Sequence, residues 1–280
     1  MKDNLRKKKA PSRRAPANRR PSKAPGFTAP NGLEAVYGVH AVAALLERGD
    51  PPRELWIQGG DAGKRLAALV EQAVAAGAAI RYPSRDVLEQ LAQGASHQGV
   101  VAFCTPLAFE AEASLWHRLA GWPHQEAPLL LVLDGVTDVH NFGACLRSAD
   151  AAGAHGVVVP KDKAAPLNAS VRKVACGAAE NVPVYQVTNL ARALERMKND
   201  HGIWVIGTAG EAESVVYQAD FSGPTALVMG AEGKGMRRLT REGCDSLVKL
   251  PMAGQVSSLN VSVATGICLF EAVRQRSGVA

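Results

Sequence analysis

Five segments from residue 129 onward are almost wholly apolar: LLLVLDG from residue 129, GVVVP from 156, IWVIGT from 203, TALVMG from 225 and SLVKLP from 246. A strand with one wet face alternates apolar and polar residues. Strands unbroken in this way are covered on both faces, as in parallel sheets. Between them the spacing predicts helices at 141–152, 168–179 and 189–199, and a last one at 258–275. That last helix is apolar nearly all round at its start and turns polar only at RQRS, so it belongs in a core or a subunit interface. Alternating strands and helices make residues 128–280 an α/β domain with a parallel sheet.

Upstream, Val39, Val42, Leu45 and Leu46 recur at helical spacing and end at Gly49-Asp50-Pro51-Pro52. RELWIQ, AAIRYP and GVVAFC read as strands, with helices at KRLAALVEQAVAAG and SRDVLEQLAQG between them. This predicts a small α/β domain at 33–105. Residues 106–127 keep no period and contain Pro106, Gly121 and Pro123, so they read as a linker with a short helix around Leu115–Leu119.

Charge divides the chain differently. Residues 1–30 hold ten Lys or Arg, one acid and five prolines, a net +9; the remainder holds 22 basic and 25 acidic groups, a net −3. A Pro-rich, like-charged stretch with so few large apolar residues is expected to be a disordered basic tail. Its expected role is contact with a polyanion such as RNA; a solubilising tail and a transit peptide are the alternatives. The tail has no apolar core of a secretory signal, and no segment approaches the roughly 18 apolar residues of a membrane span. The five cysteines form no C-x-x-C pair, and no histidine stands at ligand spacing from them, so no metal is expected. They read as reduced thiols of a cytoplasmic protein.

Three loops follow strand ends and hold the candidate chemistry. GTAG lies at 207–210, GAEGKG at 230–235 and PMAGQVSSLN at 251–260. Ligands of open parallel sheets bind at the carboxyl ends of strands, so these loops predict one pocket made largely of backbone. Phosphate is a poor fit. A nucleotide-triphosphate loop needs Ser or Thr after its lysine, whereas Lys234 precedes Gly235, and Glu232 would repel an anion there. A ligand held by neutral backbone groups, such as an adenosine carrying a sulfonium, fits better.

DGVTDVHNFGACLRSADAAGA supplies Asn141 and Arg147. Six positions apart, they lie about 240° from alignment if both are helical; Asn141 as a helix cap is the other reading. In VSSLNVSVATG, the polar residues Ser257, Ser258 and Asn260 exceed what one helix cap needs, which leaves some for a ligand.

Taken together, NFGACLRSADAAGA, ALVMGAEGKGM and LPMAGQVSSLNVSVA resemble, in order and spacing, the three motifs of the SpoU (TrmH-type) RNA ribose 2′-O-methyltransferases. The run KDKAAPLNASVRKVACGAAENVPV is similar to the branch that methylates a guanosine in the peptidyl-transferase-centre loop of 23S rRNA. The resemblance implies a deep trefoil knot in the C-terminal domain, a small substrate-binding domain before it, S-adenosylmethionine as cofactor, 23S rRNA as substrate and a homodimer. It implies that Thr208, Gly210, Gly230, Glu232, Gly233, Leu250, Met252 and Leu259 contact the cofactor, and that Asn141, Arg147, Glu232, Ser258 and Asn260 form the reaction site. Arg147 would hold a phosphate or the developing alkoxide, Ser258 and Asn260 would orient the ribose, and Glu232 would hold either Arg147 or a neighbouring backbone amide. Ser96, His97 and Gln98 either face RNA or form an ordinary polar loop. A different rRNA or tRNA nucleotide, or a non-catalytic assembly factor on the same scaffold, are the alternative functions.

Overall fold

The computed structural model describes residues 30, 32–47, 51–60, 64, 66–92 and 96–278. The basic tail up to residue 29 and the helix stop expected at Gly49-Asp50 lie outside these residues.

The small domain contains β1 (Glu34–Tyr37), α1 (Val39–Glu47), β2 (Glu54–Ile57), α2 (Ala67–Ala75), β3 (Ala79–Arg81), α3 (Arg85–Leu91) and β4 (Val100–Cys104). Its sheet order is β1-β4-β2-β3, with β4 antiparallel to both neighbours and β2 parallel to β3. The first strand, EAVY, is too short to show a period in the sequence. It forms because β4 offers it a buried edge. All five residues of β4 are buried, since α1 and α2 cover one face with Val42, Leu45, Leu69 and Ala73 while Leu88 and Leu91 of α3 cover the other.

The large domain adds β5 (Glu110–Ala111), α4 (Glu112–Ala120), β6 (Leu129–Asp134), α5 (Val139–Ala151), β7 (Gly156–Pro160), α6 (Ala169–Ala175), α7 (Ala178–Asn181), β8 (Val184–Val187), α8 (Leu190–His201), β9 (Trp204–Thr208), β10 (Ser214–Val215), β11 (Thr225–Gly230), α9 (Arg238–Glu242), β12 (Ser246–Lys249) and α10 (Val261–Arg276). Its eight strands run parallel in the order β10-β12-β9-β11-β6-β7-β8-β5. The apolar runs have the physical cause inferred from them. Leu129, Leu131 and Leu133 of β6 join the core under α5 and α10, while Leu130 and Val132 join the opposite core under α4 and α8.

Residues 106–127 hold more structure than a linker. β5 pairs with β8 as the outermost strand, and Leu115, Trp116 and Leu119 of α4 are buried against the sheet. A two-residue strand and a nine-residue helix are too short to establish a pattern. The helix expected at 168–179 is two helices, α6 and α7. They are broken by Cys176 and Gly177, both left-handed at φ 52° and 99°. The last helix begins at Val261, leaving 251–260 as an exposed loop. Among the described residues no helix is long and apolar enough to cross a membrane.

Candidate active site

β12, β9 and β11 are neighbours in the sheet, so their carboxyl ends open onto one place. A cavity of about 840 Å³ lies there, within the range of about 300–1,000 Å³ usual for small-molecule sites. Thr208, Gly210, Gly230, Glu232, Gly233, Leu250, Met252 and Leu259 all line it, as do Ser258 and Asn260. The Thr208 hydroxyl donates to the Val228 carbonyl at 3.1 Å, so this side chain braces the sheet and leaves main-chain groups toward the cavity.

The glycines of GAEGKG have separate causes. A Cβ on Gly230 would come within 2.3 Å of both Gly235 C and Met236 N, because the chain doubles back on itself. The turn is closed by Ala231 and Gly235, which exchange backbone hydrogen bonds of 3.1 and 2.8 Å, and it needs positive φ at Gly233 and Gly235. Glu232 stands on this turn as a consequence. Behind it, the buried Asp134 at the end of β6 accepts from Arg237 N at 2.7 Å and Nε at 2.6 Å. This contact across 103 residues pins the far end of the loop.

Glu232 takes the second of its two expected roles. Its Oε1 accepts from Asn260 Nδ2 at 2.7 Å and from Val261 N at 3.3 Å. Asn260 Nδ2 also donates to Asn141 Oδ1 at 2.8 Å, while its own Oδ1 caps α10 by accepting from Ser262 N at 2.8 Å. Three residues from three motifs thus form one hydrogen-bonded chain beside the cavity. Asp138, not Asn141, caps α5, accepting from Asn141 N at 2.8 Å. With that task taken, the Asn141 side chain is free for Asn260.

Arg147 stands apart. It is exposed, does not line the cavity, and places Nη1 3.6 Å from Cys176 Sγ. Both Asn141 and Arg147 lie within α5, so the angular separation holds and the two side chains leave the helix in different directions. The SHQG segment is also placed. Gln98 Oε1 accepts from Val39 N at the start of α1 at 2.9 Å, and buried His97 Nδ1 accepts from Gly99 N at 3.1 Å. These contacts give His97 and Gln98 structural roles, with the exposed Gln98 capping a helix 59 residues away.

The sequence reading did not single out Glu211, Lys234, Arg241, Lys249 or Cys268 as cavity residues. Four of them are charged groups beside the glycine loops, and that position is the signal that marks them. Cys268 is reached from α10, and burial pushes its thiol up to about 12, so it contributes a neutral apolar surface. Acids and bases together suit a ligand bearing both positive and carboxylate groups, and the bare loops suit an uncharged adenosine.

Comparison with known proteins agrees with this geometry. Residues 128–270 match the SpoU rRNA Methylase family, and residues 35–110 match RNA 2'-O ribose methyltransferase substrate binding. The chain is 57% identical over 246 residues to the 23S rRNA (guanosine-2'-O-)-methyltransferase RlmB of Photorhabdus laumondii, covering 87% of this chain and 99% of that protein. It has the same identity and coverage with RlmB of Escherichia coli K12. Among solved structures, an RNA 2'-O ribose methyltransferase superposes with a TM-score of 0.72 at 26% identity, covering 88% of this chain and 90% of that one. The SpoU methyltransferase AviRb from Streptomyces viridochromogenes, in complex with the cofactor AdoMet, superposes with a TM-score of 0.71 at 29% identity, covering 88% and 91%. By motif, fold and relatedness, this chain belongs to the SpoU rRNA methylase family.

Proposed function

We propose that this protein transfers a methyl group from S-adenosylmethionine to the ribose 2′-hydroxyl of a guanosine in 23S rRNA, in the peptidyl-transferase-centre loop. The observation that carries this reading is the junction of the backbone-lined cavity with the Glu232–Asn260–Asn141 chain. Its support in relatedness is identity of 56–57% to RlmB proteins over nearly their full length.

S-adenosylmethionine bound in the cavity supplies an electrophilic methyl. Every other task falls to the chain. The loops at Gly210, Gly230 and Leu250 grip the adenosine through main-chain groups, and Leu259 and Met252 shield it from water. Glu232 locks the Asn260 amide, so that Asn260 and Ser258 present fixed polar groups to the ribose. Such positioning lowers the barrier by several kcal/mol, about 7–11 at the limit of ideal alignment. Arg147 is protonated at any ordinary pH, so it serves as a clamp for an RNA phosphate or for the developing alkoxide and not as a base. Its exit from α5 away from Asn141 suits the RNA side of the reaction.

The C-terminal segment carries the trefoil knot expected of the family. Sheet order supports this, since β11 inserts between β9 and β6 and the chain then passes outward to β12 before α10 returns against α5. The protein acts in the cytoplasm as a homodimer through α10. Val263 and Phe270, one heptad apart on that helix, are each 51% exposed and offer the apolar surface. The basic residues at 1–30 add salt-sensitive affinity for RNA, and deleting them flattens the dependence of binding on salt.

The deciding experiment is methyl transfer from labelled S-adenosylmethionine to 23S rRNA, with 2′-O-methyl mapping in cells with and without the protein. Folded protein that takes up neither S-adenosylmethionine nor its demethylated product ends this reading. Uptake with the methyl found on another rRNA or tRNA nucleotide keeps the chemistry and changes the target.

A further inference from the structure

The two domains meet along α6. Ala169 packs into the small-domain cluster that holds Leu33, Ala35, Tyr37 and Val87, and Lys173 Nζ lies 5.3 Å from the centre of the Tyr37 ring. Between these two, Arg172 is sealed inside the interface with 1% of its side chain exposed. Its Nε donates to Glu180 Oε1 at 2.7 Å, and its Nη1 reaches Glu34 Oε2 at 3.1 Å and Cys104 Sγ at 3.0 Å. Glu34 and Cys104 face one another across the β1–β4 pairing. One guanidinium therefore ties two strands of the small domain to α7 of the large domain.

This is not an optimised source of stability. Among the described residues Arg172 Nη2 has no hydrogen-bond partner, and buried ion pairs return little net stability for the desolvation they cost. What such a cluster does supply is one defined geometry.

That geometry leads to Arg147. Three residues beyond Lys173, Cys176 adopts the left-handed conformation at φ 52°, uncommon for any residue but glycine. Gly177 follows, and a Cβ there would lie 2.7 Å from Ala44 Cβ, so α1 of the small domain is seated directly on the turn. The same turn directs Cys176 Sγ to within 3.6 Å of Arg147 Nη1. Arg172 bonds Glu34 on one side and Glu180 on the other, so it brackets the 176–177 turn that lies between α6 and α7 along the chain, and that turn carries Cys176 to the arginine of the reaction site.

We infer that Arg172 is a positioning residue for methyl transfer: it locks the small domain onto α6 and the 176–177 turn, and through Cys176 sets where the Arg147 guanidinium stands relative to docked RNA. The small domain then helps to aim the reaction as well as to bind RNA. The inference rests on the role proposed above for Arg147.

The test uses the full chain and three variants. Glu34→Gln removes the small-domain charge at a partly exposed position and keeps its shape. Arg172→Lys keeps the charge and loses the fork, and Arg147→Ala is the reference. Turnover is measured at saturating 23S rRNA fragment and S-adenosylmethionine, affinity for S-adenosylhomocysteine by calorimetry, and access to Cys176 by its rate of alkylation with iodoacetamide. The expected result for Glu34→Gln and Arg172→Lys is turnover reduced about 10–100-fold, the size of a small misplacement of a reacting group. Affinity for S-adenosylhomocysteine should change less than twofold, and Cys176 alkylation should accelerate. Full turnover in Glu34→Gln overturns the inference, even if its melting temperature falls. If Arg147→Ala is then inactive, the reaction-site reading survives alone. Full turnover in Arg147→Ala removes both.

Discussion

Two of the polar clusters that join distant parts of the chain among the described residues are built in opposite ways. The interface cluster of Arg172, Glu180, Glu34 and Cys104 is closed, with Arg172 and Glu180 side chains at 1% and 0% exposure. The cluster of Glu232, Asn260 and Asn141 is open at the mouth of the cavity, and Glu232 and Asn260 are exposed. A closed cluster spends its polar groups on one another and sets how two bodies sit. An open one leaves lone pairs and protons facing outward, where a ligand can complete them. Burial is what separates a cluster that fixes geometry from one that is open to a ligand.

Substitutions should separate the two clusters. The largest effect on stability is expected at the closed one. Arg172→Met removes the buried guanidinium that binds both Glu180 and Glu34 and should cost about 3–5 kcal/mol in urea unfolding. A loss under 1 kcal/mol would mean that the cluster opens to water.

Next comes Gly230→Ala, where the added methyl meets backbone and cannot be relieved by a side-chain rotation. A cost of about 1–3 kcal/mol is expected. Calorimetry should also show weakened S-adenosylhomocysteine binding, because the 231–235 turn must move. Unchanged binding would detach that turn from the cavity.

At the open cluster the balance reverses. Asn260→Ala should lose only about 1 kcal/mol, the worth of a helix cap, yet turnover should fall far more than that cap alone explains. Equal losses in the two measurements would erase the distinction between open and closed.

The smallest effect concerns a third polar contact. His155 Nδ1 accepts from Leu129 N at 3.0 Å at the start of β6, and burial, with Arg276 and Arg118 nearby, lowers the histidine below its ordinary value. A lowered folded pKa favours the neutral ring. Its contribution is therefore complete above the ordinary histidine value of about 6.5 and is lost as pH falls below it toward the folded value. The melting temperature should drop modestly between pH 7.5 and 5.5, and His155→Gln should flatten that drop.

Much of this was legible in the sequence. Apolar runs such as LLLVLD revealed the two-sided burial of the large sheet, because an unbroken run has no face to give to water. The three glycine-bearing strand ends marked the cavity, because parallel strands deliver their carboxyl ends to one edge. The spacing of Asn141 and Arg147 excluded a shared helix face only on the condition that both were helical, and the structure places both within α5. The roles of individual side chains were harder to read. That Glu232 meets Asn260, that Asn141 meets Asn260 and that Gln98 meets Val39 all depend on residues 28 to 119 positions away. Local pattern does not reach so far.

The sequence by itself determined the class of fold and the edge where the cavity opens, since hydrophobic periodicity and glycine placement act over a few residues, and its three motifs carried the resemblance that pointed to the family. Only the tertiary structure decided that Arg172, one more basic residue in a helix, lies sealed between two domains, and that Cys176 turns toward Arg147. Burial and direction are properties of packing, set when distant segments exclude water together.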